Sequence, residues 1–127
     1  MSTSFELRTR SGQTLKVYKE AMRIGRAPDN DIILNDLSVS KTHINIYIRE
    51  GQLILEDAGS SNGFEVNGKN YRTGEAVQVR MGDLVKIGNR EFIVALPGQA
   101  MMFPSLQKNS GVYQNSKPSS ISTDYSN

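Results

Sequence analysis

The chain has 127 residues, 15 Lys and Arg against 13 Asp and Glu for a formal charge of +2, one histidine and no cysteine. That length suits one domain with its own core, and the near balance of charge excludes bulk electrostatic capture of nucleic acid or membrane. Without cysteine there is no disulfide, thiolate nucleophile or Cys-type zinc site, and a lone histidine leaves no cluster for a metal, so no cofactor is expected.

Through residue 96 the apolar residues recur at every second position, the period of strands rather than helices. Ser4 to Thr9 alternates Phe5 and Leu7 with polar neighbours. The turn Ser11-Gly12-Gln13 leads into Thr14 to Tyr18, with Leu15 and Val17. His43 to Arg49 places Ile44, Ile46 and Ile48 on one face, and Glu50-Gly51-Gln52 turns it into Leu53 to Asp57. Short runs follow at Phe64 to Val66, Ala76 to Val79, Leu84 to Ile87 and Arg90 to Leu96. Asn67-Gly68, Gly74, Gly82-Asp83 and Gly88-Asn89 separate them, and Gly and Asn tolerate the positive φ that tight turns need. Many short strands at this spacing predict an all-β sandwich over residues 1–96.

From Pro97 to Asn127 the composition changes, with 18 of 31 residues Ser, Asn, Gln, Gly or Pro. Such a segment buries too little apolar surface to offset its ordering entropy, which predicts a flexible tail over 97–127. Met101, Met102 and Phe103 are its apolar cluster. The opening MSTSFELRTR carries Glu6 and no apolar run, so it does not read as a signal peptide. No stretch approaches the ~18 apolar residues of a membrane span. The absence of cysteine fits a reducing compartment such as the cytoplasm.

Three segments are too polar and Gly-rich for plain connectors: RIGRAPDND (23–31), LSVSKTH (37–43) and DAGSSNGFEVNG (57–68). Loops gathered at one end of a sandwich commonly carry binding function. Ser40, His43 and Asp57 are nominally a hydrolase triad, but Ser40 lacks the sharp Gly-flanked elbow, and a serine three residues before a histidine at a strand entrance reads as a structural pair. Gly63 to Asn70 matches a nucleotide-binding loop up to its last residue, where Asn70 replaces the magnesium-holding hydroxyl and no helix follows. A phosphate clamp without a metal fits better. A phosphorylated side chain carries about −1.5 to −2 charges and three strong acceptors, which call for a forked donor, hydroxyls and a second cation. Arg26, Ser40, Lys41 and Ser61 supply that inventory, and Gly25 beside Arg26 permits an unusual backbone angle or a close approach of chains. Three ordinary surface loops with scattered charges remain the alternative on composition alone.

The order Gly25-Arg26, Ser40-x-x-His43, Asp57-x-x-Ser60-Ser61-Asn62-Gly63, Asn67-Gly68 strongly resembles the forkhead-associated (FHA) domain, a phosphothreonine-binding module. The similarity runs from about Phe5 to Leu96 and includes Met81 to Gly88, which is similar to the family's late hairpin. It implies a sandwich of about eleven strands in two sheets, no catalytic activity, and a phosphothreonine-containing protein or peptide as partner, with Ser/Thr-kinase-dependent recruitment as the function. Arg26, Ser40, Ser61 and Lys41 would contact the phosphate, and Asn62 the peptide main chain. His43, Gly25, Gly63 and Asn67 would shape the loops. The chain departs from the pattern at Phe64, where the family commonly has Thr. It departs also at Ser38, where some members carry a basic residue that selects an acid three places after the phosphothreonine. The resemblance further implies a small apolar niche for the phosphothreonine methyl, worth ~1 to 3 kcal/mol over phosphoserine. A phosphate-independent assembly domain on the same fold is the alternative function. Thr123 in the tail, if phosphorylated, would make the chain its own ligand.

Overall fold

The computed structural model describes residues 4–99. It contains β1 (Phe5–Arg8), β2 (Thr14–Val17), β3 (Ala21–Gly25), β4 (Ile32–Ile33), β5 (Ile44–Arg49) and β6 (Gln52–Asp57). These are followed by β7 (Phe64–Val66), β8 (Lys69–Tyr71), β9 (Ala76–Val79), β10 (Leu84–Ile87) and β11 (Arg90–Ala95). They form two sheets, one ordered β2-β1-β11-β10-β7-β8 and the other β4-β3-β5-β6-β9. All pairings are antiparallel except the short parallel contact of β3 with β4.

The core lies between the sheets because each strand turns alternate residues inward. Leu7, Phe92, Val85, Ile87 and Phe64 come from the first sheet, and Ile24, Ile44, Ile46, Leu53 and Leu55 from the second, all buried. At about 1.5 to 3 kcal/mol for each fully buried large apolar side chain, this interleaving is the main stabilising term.

The eight strands expected from alternation are present, together with three that alternation does not mark. β3 lies partly within the polar segment 23–31: Met22 and Ile24 are buried while Arg23 points out, and two inward residues are too few for a visible period. β4 is only two residues long, and β8 reads Lys-Asn-Tyr with no inward pair. The Asn67-Gly68 turn has φ of +52° and +88°, the signature of a two-residue hairpin with both central residues left-handed.

Pro97 and Gly98 form a turn in which Gln99 N donates to Leu96 O at 3.0 Å, and Arg8 donates to the carbonyls of Leu96 and Gln99. The rest of the predicted tail, including Met101, Phe103 and Thr123, lies outside the described residues. Among the described residues no helix is long and apolar enough to cross a membrane.

Candidate functional site

The pairings Ile24 with Ile44, Ile44 with Asp57, and Phe64 with Ile87 put connections 26–31, 34–43, 58–63 and 88–89 at one end of the sandwich. The first two are stitched together by main chain. Arg26 N donates to Ser40 O at 3.0 Å and Ala27 N to Lys41 O at 3.1 Å. Gly25 makes the approach possible, since a Cβ there would stand 2.2 Å from Lys41 O. Buried Asn30 closes the seam, its Nδ2 donating to Ala27 O at 2.8 Å and to Lys41 O at 2.6 Å.

The half-buried Arg26 side chain is held from one side. Its Nε donates to Val39 O at 3.0 Å, which aims the group along the serine-bearing loop, while its terminal nitrogens have no partner among the described residues. Neither Arg26 nor Lys41 has a carboxylate within ion-pair distance there. Two uncompensated cations beside one loop attract an anion, and partial burial of the guanidinium limits screening by salt.

Ser40 joins the second loop to the third. Its Oγ accepts from Ser61 N at 3.0 Å, and its own N donates to His43 Nδ1 at 2.9 Å. His43 Nε2 lies 2.8 Å from Gly63 O. A peptide N–H only donates and a carbonyl only accepts, so the buried ring is neutral with its proton on Nε2. Both ring nitrogens are committed to main chain, and no base is left for the Ser40 hydroxyl. Asp57 completes the case against a triad. Its buried carboxylate accepts from Gly59 N, Ser60 N and, at 2.5 Å, Ser60 Oγ, and so turns the third loop instead of orienting His43. Ser60 Oγ in turn accepts from Gly63 N at 2.8 Å. Gly63 has φ +75° and lies where a Cβ would stand 2.3 Å from Tyr71 O.

That third loop leaves Ser61 and Asn62 exposed, with no bond from either side chain to another described residue. The structure therefore brings Arg26, Ser40, Lys41, Ser61 and Asn62 onto adjoining loops, with Gly25, His43 and Gly63 beneath them. Asn67 sits at the other end of β7, where its Oδ1 accepts from Leu84 N at 2.9 Å and its Nδ2 donates to Asp83 at 3.1 Å, so it braces a different corner.

The sequence assigns no role to Asn30, names Ser60 only as a member of the motif, and marks Gly88-Asn89 only as a turn. Ser38 Oγ donates to Asp36 Oδ1 at 2.6 Å and accepts from Asn89 N at 2.8 Å, and a Cβ on Gly88 would stand 2.5 Å from Ser38 O. The hairpin thereby braces the loop that carries Ser40. Hydrogen bonds from the Ser38 hydroxyl and main chain hold the Asp36 carboxyl below its ordinary pKa of 3.8. Such contacts between loops distant in sequence leave no local signal; the Gly88-Asn89 pair announces a turn but not what the turn touches.

The FHA domain family model matches residues 22–88. The chain is 37% identical over 82 residues to the transcriptional regulatory protein EmbR of Mycobacterium tuberculosis, covering 65% of this chain and 21% of that protein. It is 40% identical over 76 residues to the oxoglutarate dehydrogenase inhibitor of Corynebacterium glutamicum, covering 60% of this chain and 50% of that one. The chain thus spans about a fifth to a half of these relatives. Mycobacterium tuberculosis EmbR in complex with a low-affinity phosphopeptide superposes with a TM-score of 0.70 at 30% identity, over 78% of this chain and 26% of that one. A domain solved for the analysis of phosphothreonine-dependent FHA domain interactions superposes at 0.65 with 29% identity, over 78% of this chain and all (100%) of that one.

Proposed function

The chain belongs to the FHA-domain family, and on that premise we propose that it is a non-catalytic module that binds phosphothreonine in a partner protein and recruits that protein to whatever carries the domain after a Ser/Thr kinase has acted. The observation that carries this reading is the seam at Ser40, whose carbonyl and hydroxyl accept from Arg26 N and Ser61 N at 3.0 Å each. One serine therefore fixes the spacing between the guanidinium loop and the second hydroxyl loop before any ligand arrives, and preorganised donors lose less entropy on binding.

In this reading the free end of Arg26 forks onto two phosphate oxygens, Ser40 and Ser61 donate their hydroxyl protons to the phosphate, and Lys41 supplies the second positive charge. Asn62, exposed and unbonded, holds the ligand main chain next to the phosphothreonine. His43 acts as a neutral strut from the second loop to the third. Arg26→Lys keeps the charge but loses the fork, which makes it the sharper companion to Arg26→Ala.

Support for phosphothreonine as the ligand comes from the relatives solved with a phosphopeptide or for phosphothreonine-dependent interactions. We place the module in the cytoplasm, with no cofactor and no nucleic-acid or membrane partner. The chain's own Thr123, once phosphorylated, is an intramolecular or intermolecular ligand of the same chemistry. Fluorescence anisotropy with matched phosphorylated and unphosphorylated threonine peptides tests the proposal. Binding only of the phosphorylated form, lost in Arg26→Ala, is expected. Equal binding of both forms would instead identify a phosphate-independent assembly domain.

A further inference from the structure

The chain holds two Asn-Gly pairs, Asn62-Gly63 in the third loop of the site and Asn67-Gly68 in the hairpin between β7 and β8. An asparagine before glycine is chemically labile, because no Cβ on the glycine hinders its nitrogen from approaching the preceding carboxamide carbon. The two pairs are secured at opposite ends of that reaction. At Asn67 the carboxamide is held, with Oδ1 accepting from Leu84 N at 2.9 Å and Nδ2 donating to Asp83 at 3.1 Å. At Asn62 the carboxamide is exposed and makes no bond to another described residue, and the nitrogen is held instead. Gly63 N donates to Ser60 Oγ at 2.8 Å, and that hydroxyl donates to the buried Asp57 carboxylate, whose negative charge opposes loss of the Gly63 proton.

We propose that Asn62-Gly63 is a self-modification site, in which opening of the bond from Gly63 to Ser60 lets Asn62 deamidate and so switches the phosphothreonine clamp off irreversibly. The chemistry stands on the loop alone; its effect on binding rests on the clamp reading. Once free, Gly63 N gives its proton to hydroxide and attacks Asn62 Cγ. A new Cγ–N bond forms, the Cγ–Nδ2 bond breaks, and a cyclic imide remains. Ammonia leaves with a proton from water, which restores the hydroxide. Water then opens the imide at Cγ or at the main-chain carbonyl, leaving an aspartyl or isoaspartyl residue with one new carboxylate. The balance is one water in and one ammonia out, with no oxidation or reduction. The product has lost both carboxamide donors and sets a negative charge beside the phosphate, where like charges repel. Reaction at Asn62 needs one hydrogen bond broken, and reaction at Asn67 needs two. A net hydrogen bond shifts a population roughly fivefold, so the first pair reacts faster.

The test incubates the full 127-residue chain at neutral pH and physiological temperature and follows each pair by peptide fragmentation in a mass spectrometer, with isoaspartate as the marker of the imide route. Native protein should react at Asn62 at least threefold faster than at Asn67, whereas urea-unfolded protein should react at both alike. The slowing at Asn62 from unfolded to native should match the hydrogen-exchange protection of the Gly63 amide within tenfold, because one opening exposes the same nitrogen to both reactions. Ser60→Ala should speed Asn62 at least threefold and leave Asn67 unchanged. Acceleration of both pairs reports global unfolding of the variant, and the match to Gly63 protection in wild type then decides. A native ratio below threefold, a mismatch beyond tenfold with Gly63 protection, or a folded Ser60→Ala variant with no rise at Asn62 overturns the proposal. The deamidated fraction, separated by ion exchange, should bind a phosphothreonine peptide at least tenfold more weakly than the unreacted chain, and a smaller loss overturns the switch. An unreacted chain that binds the peptide equally with or without its phosphate, or not at all, instead removes the clamp reading, while the deamidation result stands.

Discussion

Replacing Gly25 by alanine tests whether the site depends on the close approach of its first two loops. A Cβ at Gly25 would stand 2.2 Å from the Lys41 carbonyl oxygen, 1.2 Å inside the 3.4 Å at which ordinary contact begins. That oxygen is main chain and cannot swing aside as a side-chain tip would. A displacement of this size carries the Ala27 N to Lys41 O bond, 3.1 Å long, and the Arg26 N to Ser40 O bond, 3.0 Å long, out of range. Two lost backbone bonds at about 1 kcal/mol each, with overpacking strain of about 1 to 3 kcal/mol, give about 3 to 5 kcal/mol. A small domain holds about 5 to 15 kcal/mol in all, so the variant folds in water with a much lower urea midpoint. Arg26 is drawn away from Ser40, and phosphopeptide affinity falls with it, at least tenfold. Gly51 supplies the control: its φ is +77° but no atom lies within 4 Å of a Cβ there, so Gly51→Ala meets only the left-handed penalty of about 1 to 2 kcal/mol and binds normally. Urea unfolding followed by far-UV circular dichroism reads both. A Gly25→Ala variant within 1 kcal/mol of wild type, or less affected than Gly51→Ala, would refute the packing argument.

Other outcomes follow from the same contacts. Arg26→Ala weakens the phosphopeptide by about 2 to 5 kcal/mol in an anisotropy titration, with the effect shrinking as salt rises. His43→Ala strands the Ser40 N–H and the Gly63 carbonyl, each costing about 1 to 3 kcal/mol when left unpaired, and urea unfolding should show the sum. Asp36 has a folded-state pKa held below its ordinary 3.8, so its contribution to stability is complete above that value and is lost as pH falls through the lower one. Asp36→Asn should accordingly flatten the acid limb of a melting-temperature profile, and an unchanged limb would remove the brace from the account. For Thr123, sedimentation of kinase-phosphorylated protein beside Thr123→Ala distinguishes self-association from none; identical behaviour of the two ends that idea.

Alternation made eight strands and the sandwich legible, because Phe5 and Leu7, or Ile44 and Ile46, repeat the inward period over enough residues to stand out. β3, β4 and β8 escaped because two inward residues, or none, define no period. Of the candidate site, Arg26, Ser40, Lys41 and Ser61 were legible as a chemical inventory and Asn62 only through the ordered motif, and the loops bring the five onto adjoining positions. What held them together was harder to see. Gly25 was singled out without its partner, and the partner, Lys41 O, is a main-chain atom sixteen positions away with no residue signature. Asn67 was read with the support because it stands in the motif, yet the short strand β7 carries it to the far end of the sheet. Asn30 and the Ser38–Asn89 brace act through bonds that only the folded chain defines.

The most direct measurement is a set of amide and arginine side-chain NMR spectra recorded as a phosphothreonine peptide is added. The account predicts that the Arg26 Nε–H and the amides of Ser40, Lys41, Ser61 and Asn62 shift first, and that the unphosphorylated peptide leaves them unmoved. Shifts centred instead on the opposite end of the sandwich, around Gly51 and Gly68, or the same shifts without phosphate, would contradict it.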